Sequence, residues 1–242
     1  MIEQNRAEHK PKSLGILGGM GPLASAEYLI AVLGQFHVEQ DSQYPRIILD
    51  SNTTIPSRGR AFLYNEASPV PGMIDACKQL ETYHVDYIAI PCNSAQAWLK
   101  DVQSQISTPI LDIREITVRA LLERYPDCKQ AVVFGSPVTY GMDTYAEYLQ
   151  KENIQYIKIT PEEQGQVERI IYDCKKNYDR DSLRALFVSL LCSVREKHGC
   201  QCVIILGCTE FGLLSTKELL EEVRAIDSNF AYARFTAEVL KQ

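Results

Sequence analysis

Two short motifs carry side chains suited to proton transfer: Cys92 in Pro91-Cys92-Asn93-Ser94 and Cys208 in Gly207-Cys208-Thr209-Glu210. Each cysteine closes an apolar run (YIAI and VIIL) and is followed by polar residues that open a helix-like stretch. A thiol at a helix start feels the macrodipole and the free amides there, which makes a thiolate accessible near neutral pH. With an intrinsic pKa of roughly 8.5, a thiol can both take and return a proton under ordinary conditions. Asn93, Ser94, Thr209 and Glu210 supply donors and an acceptor that suit capping and equally suit orienting a bound carboxylate. Buried cysteine is ordinarily a small hydrophobe, and Cys77, Cys128, Cys174, Cys192, Cys200 and Cys202 are read that way. Apolar packing does not require Asn-Ser or Thr-Glu next door, so Cys92 and Cys208 stand apart.

Positioning such residues takes strands that end at a cleft. Apolar runs alternate with helix-like stretches: SLGILGG, a segment from Leu23 to Phe36, RIILDSN, a segment from Val70 to Tyr83, then YIAIPCN. After helix-like residues 96–105 and the strand PILDI, a helix over Glu115–Glu123 leads to a second round. That round reads as KQAVVFGS (strand), Tyr145–Glu152 (helix), IQYIKIT (strand), helices near Gln166–Lys175 and Ser182–His198, and the strand CVIILGC. Short, wholly apolar strands belong to parallel sheets covered on both faces, so the fold class is α/β. Gly18 lies 74 residues before Cys92 and Gly135 lies 73 before Cys208, which points to a duplicated unit with approximate twofold symmetry. Residues 1–115 with the tail 225–242 are expected to form one α/β domain and 116–224 the other. A cleft between such halves would set the two sulfurs on opposite sides of one substrate atom. One thiolate would then take an α-proton while the opposite thiol returns one to the other face, which inverts the carbon.

Composition is compatible with this. The chain has 242 residues, 45% hydrophobic and 23% charged, enough to bury a large core. A net charge of -6 argues against nucleic acid as a partner, since phosphate binding needs a concentrated basic surface. The polar start and the lack of any apolar run near the ~20 residues that span a bilayer lead to the expectation of a cytoplasmic protein without membrane contact. Cys200-Gln201-Cys202 lacks a second pair or a nearby histidine, so no metal site is expected.

The motifs GILGGMGPLASAEY, SNTTIPSR, IPCNSA and GCTE, in this order, resemble the aspartate/glutamate racemase family and in particular its cofactor-independent aspartate racemases. The resemblance runs from about Leu14 to Leu214. It implies two Rossmann-like α/β domains in pseudo-twofold relation with the active site between them, a small amino acid as substrate, no pyridoxal phosphate or other cofactor, no metal, and commonly a homodimer. By position, Cys92 and Cys208 match the catalytic acid/base cysteines, and Asn93 and Ser94 the donors to the substrate carboxylate. Met20 and Asn52 match residues lining the site, and Arg58 an arginine that recognises a side-chain carboxylate through its forked guanidinium. Thr139 aligns with a site threonine, and Thr209 and Glu210 with the residues after the second cysteine. A family lysine falls at Lys176 by ungapped count from Tyr172, or at Lys175 with one gap. The sequence departs from the family motif at Gln96, where histidine is common, and at Thr53, where proline is usual. Those changes bear on substrate preference more than on proton transfer.

Two rival readings come from the same residues. Gly19-Met20-Gly21-Pro22-Leu23-Ala24 fits a dinucleotide-binding fingerprint after a strand, but Pro22 removes an amide that a phosphate would need, and Asp50 lies too far on. A racemase-like binding protein with little turnover is the other, since resemblance of fold does not guarantee activity. Trp98, Tyr83, Tyr87 and Tyr148 read as core residues, and the acidic run at 216–224 as a solvated helix face.

Overall fold

A computed structural model describes residues 11–176, 179–199 and 201–242, so Cys200 lies outside the described residues. The chain runs β1 (Leu14–Gly18), α1 (Pro22–Leu33), β2 (Ile47–Ser51), α2 (Arg58–Tyr64), α3 (Val70–Glu81), β3 (Tyr87–Ala89), α4 (Leu99–Gln103), β4 (Ile110–Leu111) and α5 (Ile113–Arg124). It continues with β5 (Gln130–Gly135), α6 (Pro137–Gly141), α7 (Ala146–Lys151), β6 (Gln155–Ile157), α8 (Pro161–Lys175), α9 (Arg180–His198), β7 (Cys202–Gly207), α10 (Lys217–Glu222), β8 (Ala225–Asp227) and α11 (Ser228–Leu240). Short 3-10 turns at Asn93–Trp98 and Thr209–Leu213 follow β3 and β7.

The strands form two parallel four-stranded sheets of the same order, β2-β1-β3-β4 and β6-β5-β7-β8. This is the α/β fold the apolar runs imply, with β1 and β7 buried along their whole length and β5 from Ala131 on, because helices cover both faces. The two halves exchange their closing helices. α5 leaves the first sheet, and Val118 and Leu121 pack into the core around Val133, Val203 and Ile205 of the second. α11 leaves the second sheet, and Tyr232, Ala233 and Leu240 pack around Leu14, Ile16 and Tyr28 of the first. Tyr232 stacks on Tyr28 with ring centroids 5.0 Å apart, and its hydroxyl donates to the Leu111 carbonyl at 2.6 Å and accepts from the Ile90 amide at 3.1 Å.

Two details differ from the sequence expectation. The tail does not leave the second half at Ala225: Ala225–Asp227 pairs with β7 as a strand, and the chain crosses only from Ser228. Tyr83 is exposed rather than core, with the Arg46 guanidinium 5.9 Å from its ring.

Local chemistry explains the strand ends. Gly19 has φ +83, and a Cβ there would lie 2.4–2.6 Å from the backbone of Asn52, so only glycine lets β1 turn against the end of β2. Asp112 and Asp227 hold equivalent places, each capping the crossing helix that follows. Burial opposes ionisation of Asp112, but the Arg114 guanidinium (Nη2 to Oδ2, 2.6 Å) and the Tyr148 hydroxyl outweigh it and hold the carboxyl below its usual range. At the place of Arg114 the second half has Asn229, so no cation answers Asp227 from there. Burial therefore pushes that carboxyl up to about 6, although the Phe230 and Asn229 amides bond to it. A folded-state pKa raised above the unfolded value means that the native state binds its proton first. Stability linked to Asp227 therefore declines as pH rises from about 4 through 6. Asp227→Asn, which keeps a good cap, is expected to stabilise the protein by roughly 1–3 kcal/mol at pH 7.5 and to lose that advantage near pH 4, as urea unfolding at the two pH values would show.

Candidate active site

Cys92 and Cys208 occupy equivalent positions. Each is the extended residue that caps a 3-10 turn after an inner strand, with φ/ψ of -152/105 and -147/128. Both are nearly covered, at 5% and 6% exposure. The Cys92 thiol points to the Met20 carbonyl, with Sγ 3.5 Å from the oxygen. Gln96 holds the turn from behind: its amide donates to the carbonyls of Ile90 at 3.1 Å and Cys92 at 3.3 Å, while Oε1 is buried without a partner. The Cys208 thiol donates to Glu210 Oε2 at 2.9 Å. Burial pushes the Cys208 thiol well above its usual value, and the Glu210 carboxylate adds to that while Lys175 opposes it.

The candidate residues converge from both halves, though not all through side chains. Met20 contributes its carbonyl, which accepts from Arg58 Nη2 at 2.8 Å as well as facing Cys92. Arg58, at the start of α2, also donates to Pro56 O at 3.2 Å, and its Nε is buried without a partner. Asn52 Oδ1 is engaged in its own turn by the amide and hydroxyl of Thr54. Asn93 is clamped between the halves: it accepts from the Tyr145 hydroxyl at 2.5 Å and donates to Ser228 Oγ at 2.9 Å, which in turn donates to the Leu206 carbonyl. Ser94 Oγ meets Ser136 Oγ of the other half at 2.7 Å. Thr139 is buried; its side chain fills the space beside Gly135, and its hydroxyl lies 3.3 Å from Ser136 Oγ. Thr209 is buried, with its hydroxyl 3.4 Å from Glu210.

Of the two lysines, the structure brings Lys175 to the site and not Lys176. Lys175 Nζ is 3.4 Å from Glu210 Oε1. Burial works against its charge, yet Glu210 and both thiols hold its pKa above the usual value, so this cation lies within electrostatic reach of Cys92 and Cys208 together. Lys176, one residue and about 100° further round the helix, sits over the Tyr172 ring at 4.1 Å.

Ser136, Ser228 and the Tyr145 hydroxyl are absent from the sequence expectation. Ser136 has a signal in the chain: Gly135-Ser136-Pro137 repeats the strand–turn–proline pattern of Gly19–Pro22. The open part of the cleft, about 480 Å³, is lined by Ser57, Arg58, Ser94, Ser136, Tyr172 and Lys175 among others. A wider groove of about 650 Å³ between α8 and α9 is lined by none of the candidate residues. The glycine loop of the dinucleotide alternative is already occupied, because the Gly19 amide bonds to Ser25 Oγ and that hydroxyl returns to the Gly21 carbonyl. Among the described residues no cluster of His, Cys, Asp and Glu fits a metal ion, and no helix is long and apolar enough to cross a membrane.

The two α/β halves place equivalent cysteines at their strand ends, and both thiols act on the charge of Lys175, which lines the open part of the cleft together with Arg58. Residues 17–236 match the Asp/Glu/Hydantoin racemase model, and the chain belongs to that family, which makes it an amino-acid racemase, an isomerase. It is 28% identical over 227 residues to the broad specificity amino-acid racemase RacX of Bacillus subtilis (strain 168), covering 92% of this chain and 96% of that protein. Its fold is similar to that of the Picrophilus torridus aspartate racemase, with a TM-score of 0.79, 24% identity and 94% of each chain covered. An aspartate racemase homologue from Pyrococcus horikoshii OT3 superposes with a TM-score of 0.77 at 24% identity, covering 96% of this chain and all of that one.

Ser228→Ala leaves the Asn93 amide and the Leu206 carbonyl without this buried partner, and urea unfolding is expected to show a loss of about 1–3 kcal/mol.

Proposed function

We propose that the protein inverts the α-carbon of an acidic amino acid, aspartate or a close relative, by cofactor-independent proton transfer between Cys92 and Cys208. The observation that carries this is their equivalence: two thiols at matching strand ends, one in each half, beside the same cation. A thiolate takes the α-proton from one face, and the opposite thiol gives a proton to the other. The atoms balance, since one sulfur gains the proton that the other loses, and the product enantiomer leaves the two thiols with exchanged protonation. Thiols perform this step in a nearly dry site, where the adjacent fixed dipoles of the strand-end turns act on a weakly screened charge.

An acidic substrate is supported by the cations at the cleft, Arg58 and Lys175. Arg58 is oriented by the carbonyls of Met20 and Pro56, and its fork suits a carboxylate. Ser94 and Ser136 hydrogen-bond to each other at 2.7 Å where the two halves meet on the cleft wall, and their hydroxyls suit the α-carboxylate.

The test is α-deuteration in D₂O, followed by NMR with single enantiomers of aspartate, glutamate and neutral amino acids. The wild-type protein is expected to exchange and invert aspartate. Cys92→Ala and Cys208→Ala should each lower inversion by about 10²–10⁴-fold; full activity in either would refute the two-thiol mechanism. Arg58→Ala is expected to raise KM for aspartate more than for a neutral amino acid, and an equal effect on both would remove the role assigned to Arg58.

A further inference from the structure

We propose that the two thiols are not equivalent in the free protein: Glu210 holds the proton on Cys208, which rests as the acid, and Cys92 serves as the base. The proposal rests on the two-thiol reading above and adds the polarity that the duplicated fold alone does not provide.

Its basis is the residue two places after each cysteine. After Cys92 that residue is Ser94, neutral, with its hydroxyl turned to Ser136 of the other half. After Cys208 it is Glu210, covered except for a small part of its side chain, with Oε2 2.9 Å from the thiol it accepts from. A carboxylate in that position stabilises the protonated thiol and repels a thiolate. The Cys92 thiol donates to a carbonyl, that of Met20, and Lys175 and Cys208 also act on it through charge. The groups around Cys208 are accounted for from each side: Glu210 on its own turn, Lys175 from α8, and Cys92 from the first half. Glu27 from α1 and Cys174 from α8 also feel Glu210. Lys175 is the cation that meets Glu210, at Oε1. It leaves Oε2 to the thiol, so the carboxylate is not withdrawn from Cys208 by its ion pair. Glu210 is thus a positioning residue that acts through Cys208 on where the proton starts.

The consequence for turnover is specific. The enantiomer whose α-hydrogen faces Cys92 meets an enzyme already poised for it. Its mirror image requires Cys208 to lose a proton first, to solvent or in the preceding turnover. Enantiomers have equal free energy in water, so kcat/KM must be the same in both directions. Polarity therefore shows only in kcat and KM separately and in the chemistry of the free thiols.

The experiment is alkylation of the full chain by iodoacetamide from pH 6 to 10, with the Cys92 and Cys208 peptides quantified by mass spectrometry. The two cysteines are alike in exposure as whole residues, so thiolate content is expected to set the order. Cys92 is expected to react first at neutral pH, with the Cys208 profile displaced to higher pH. Glu210→Gln should speed Cys208 alkylation at pH 8 about tenfold or more, the equivalent of one pH unit, and Glu210→Asp should restore part of the delay. Wild-type Cys208 reacting as fast as Cys92 would overturn the proposal, as would a Glu210→Gln profile that does not move. If Glu210→Gln fails to fold, the wild-type order and the Glu210→Asp profile decide. Deuterium exchange of wild-type protein is measured in parallel: no exchange with a displaced Cys208 profile refutes the catalytic reading alone, while exchange without displacement refutes the polarity alone.

Discussion

The exchange of closing helices between the halves fixes everything at the cleft. A four-stranded parallel sheet must be covered on both faces, because its strands carry no polar side to show to water. Here part of that cover comes from the other half: α5 for the second sheet and α11 for the first. Separating the halves would expose Leu121 and Tyr232, each fully buried, so the cleft cannot open by simple parting of two independent domains. The buried hydrogen bonds sit at the same junctions. Tyr232 ties α11 to Ile90, two residues before Cys92, and Ser228 ties Asn93, the residue after Cys92, to β7, which leads to Cys208. The distance between the thiols is therefore governed by packing far larger than the cleft itself.

Duplication explains why the halves agree in backbone and disagree in charge. Sheet order, strand-end glycine turns and capping aspartates repeat, since each follows from covering and terminating a parallel strand. Charge is free to diverge once the backbone is set. Asp112 acquires Arg114 and Tyr148, whereas Asp227 relies on backbone amides. The turn after Cys92 acquires Ser94, and the turn after Cys208 acquires Glu210. Both differences leave the second half with the less compensated negative charge, and Lys175 of α8 answers the part carried by Glu210.

Much of this was legible in the chain because periodicity reports burial directly. The apolar strands, the doubled layout and the cysteines at strand ends depend on local sequence alone. What local sequence does not report is the partner across a junction. Ser136 and Ser228 read as ordinary turn and cap residues until the opposite half is in place. The start of α8 at Pro161, ahead of its apolar period, is set by a capping box between Thr160 and Glu163, a polar signal that hydrophobic patterning passes over. α2 is seven residues with none buried, held by the Ser57 cap and a left-handed Asn65, so it has no hydrophobic period to detect. Lys175 and Lys176 are indistinguishable by composition, and only the helical phase of α8 turns one toward Glu210 and the other over Tyr172.

Under the proposed two-thiol reading, the charge balance of the cleft also bears on how a weak carbon acid could be handled. In the proposed mechanism Arg58 and Lys175 would be offset by Glu210 and one thiolate, which would leave the free site close to neutral. An aspartate zwitterion, the proposed substrate, would bring one net negative charge for the cations to meet at its carboxylates. In the proposed step, negative charge would move from sulfur to carbon and would not be created anew. The cost of that step depends on how far the local potential differs between the two places, and in a poorly solvated site a fixed cation acts on both with little screening. Lys175, coupled to Glu210, Cys208 and Cys92 at once, is placed to keep that difference small. Glu210 works against it on one side only, which under the proposed polarity would let the same cation serve both directions while the resting proton stays on Cys208.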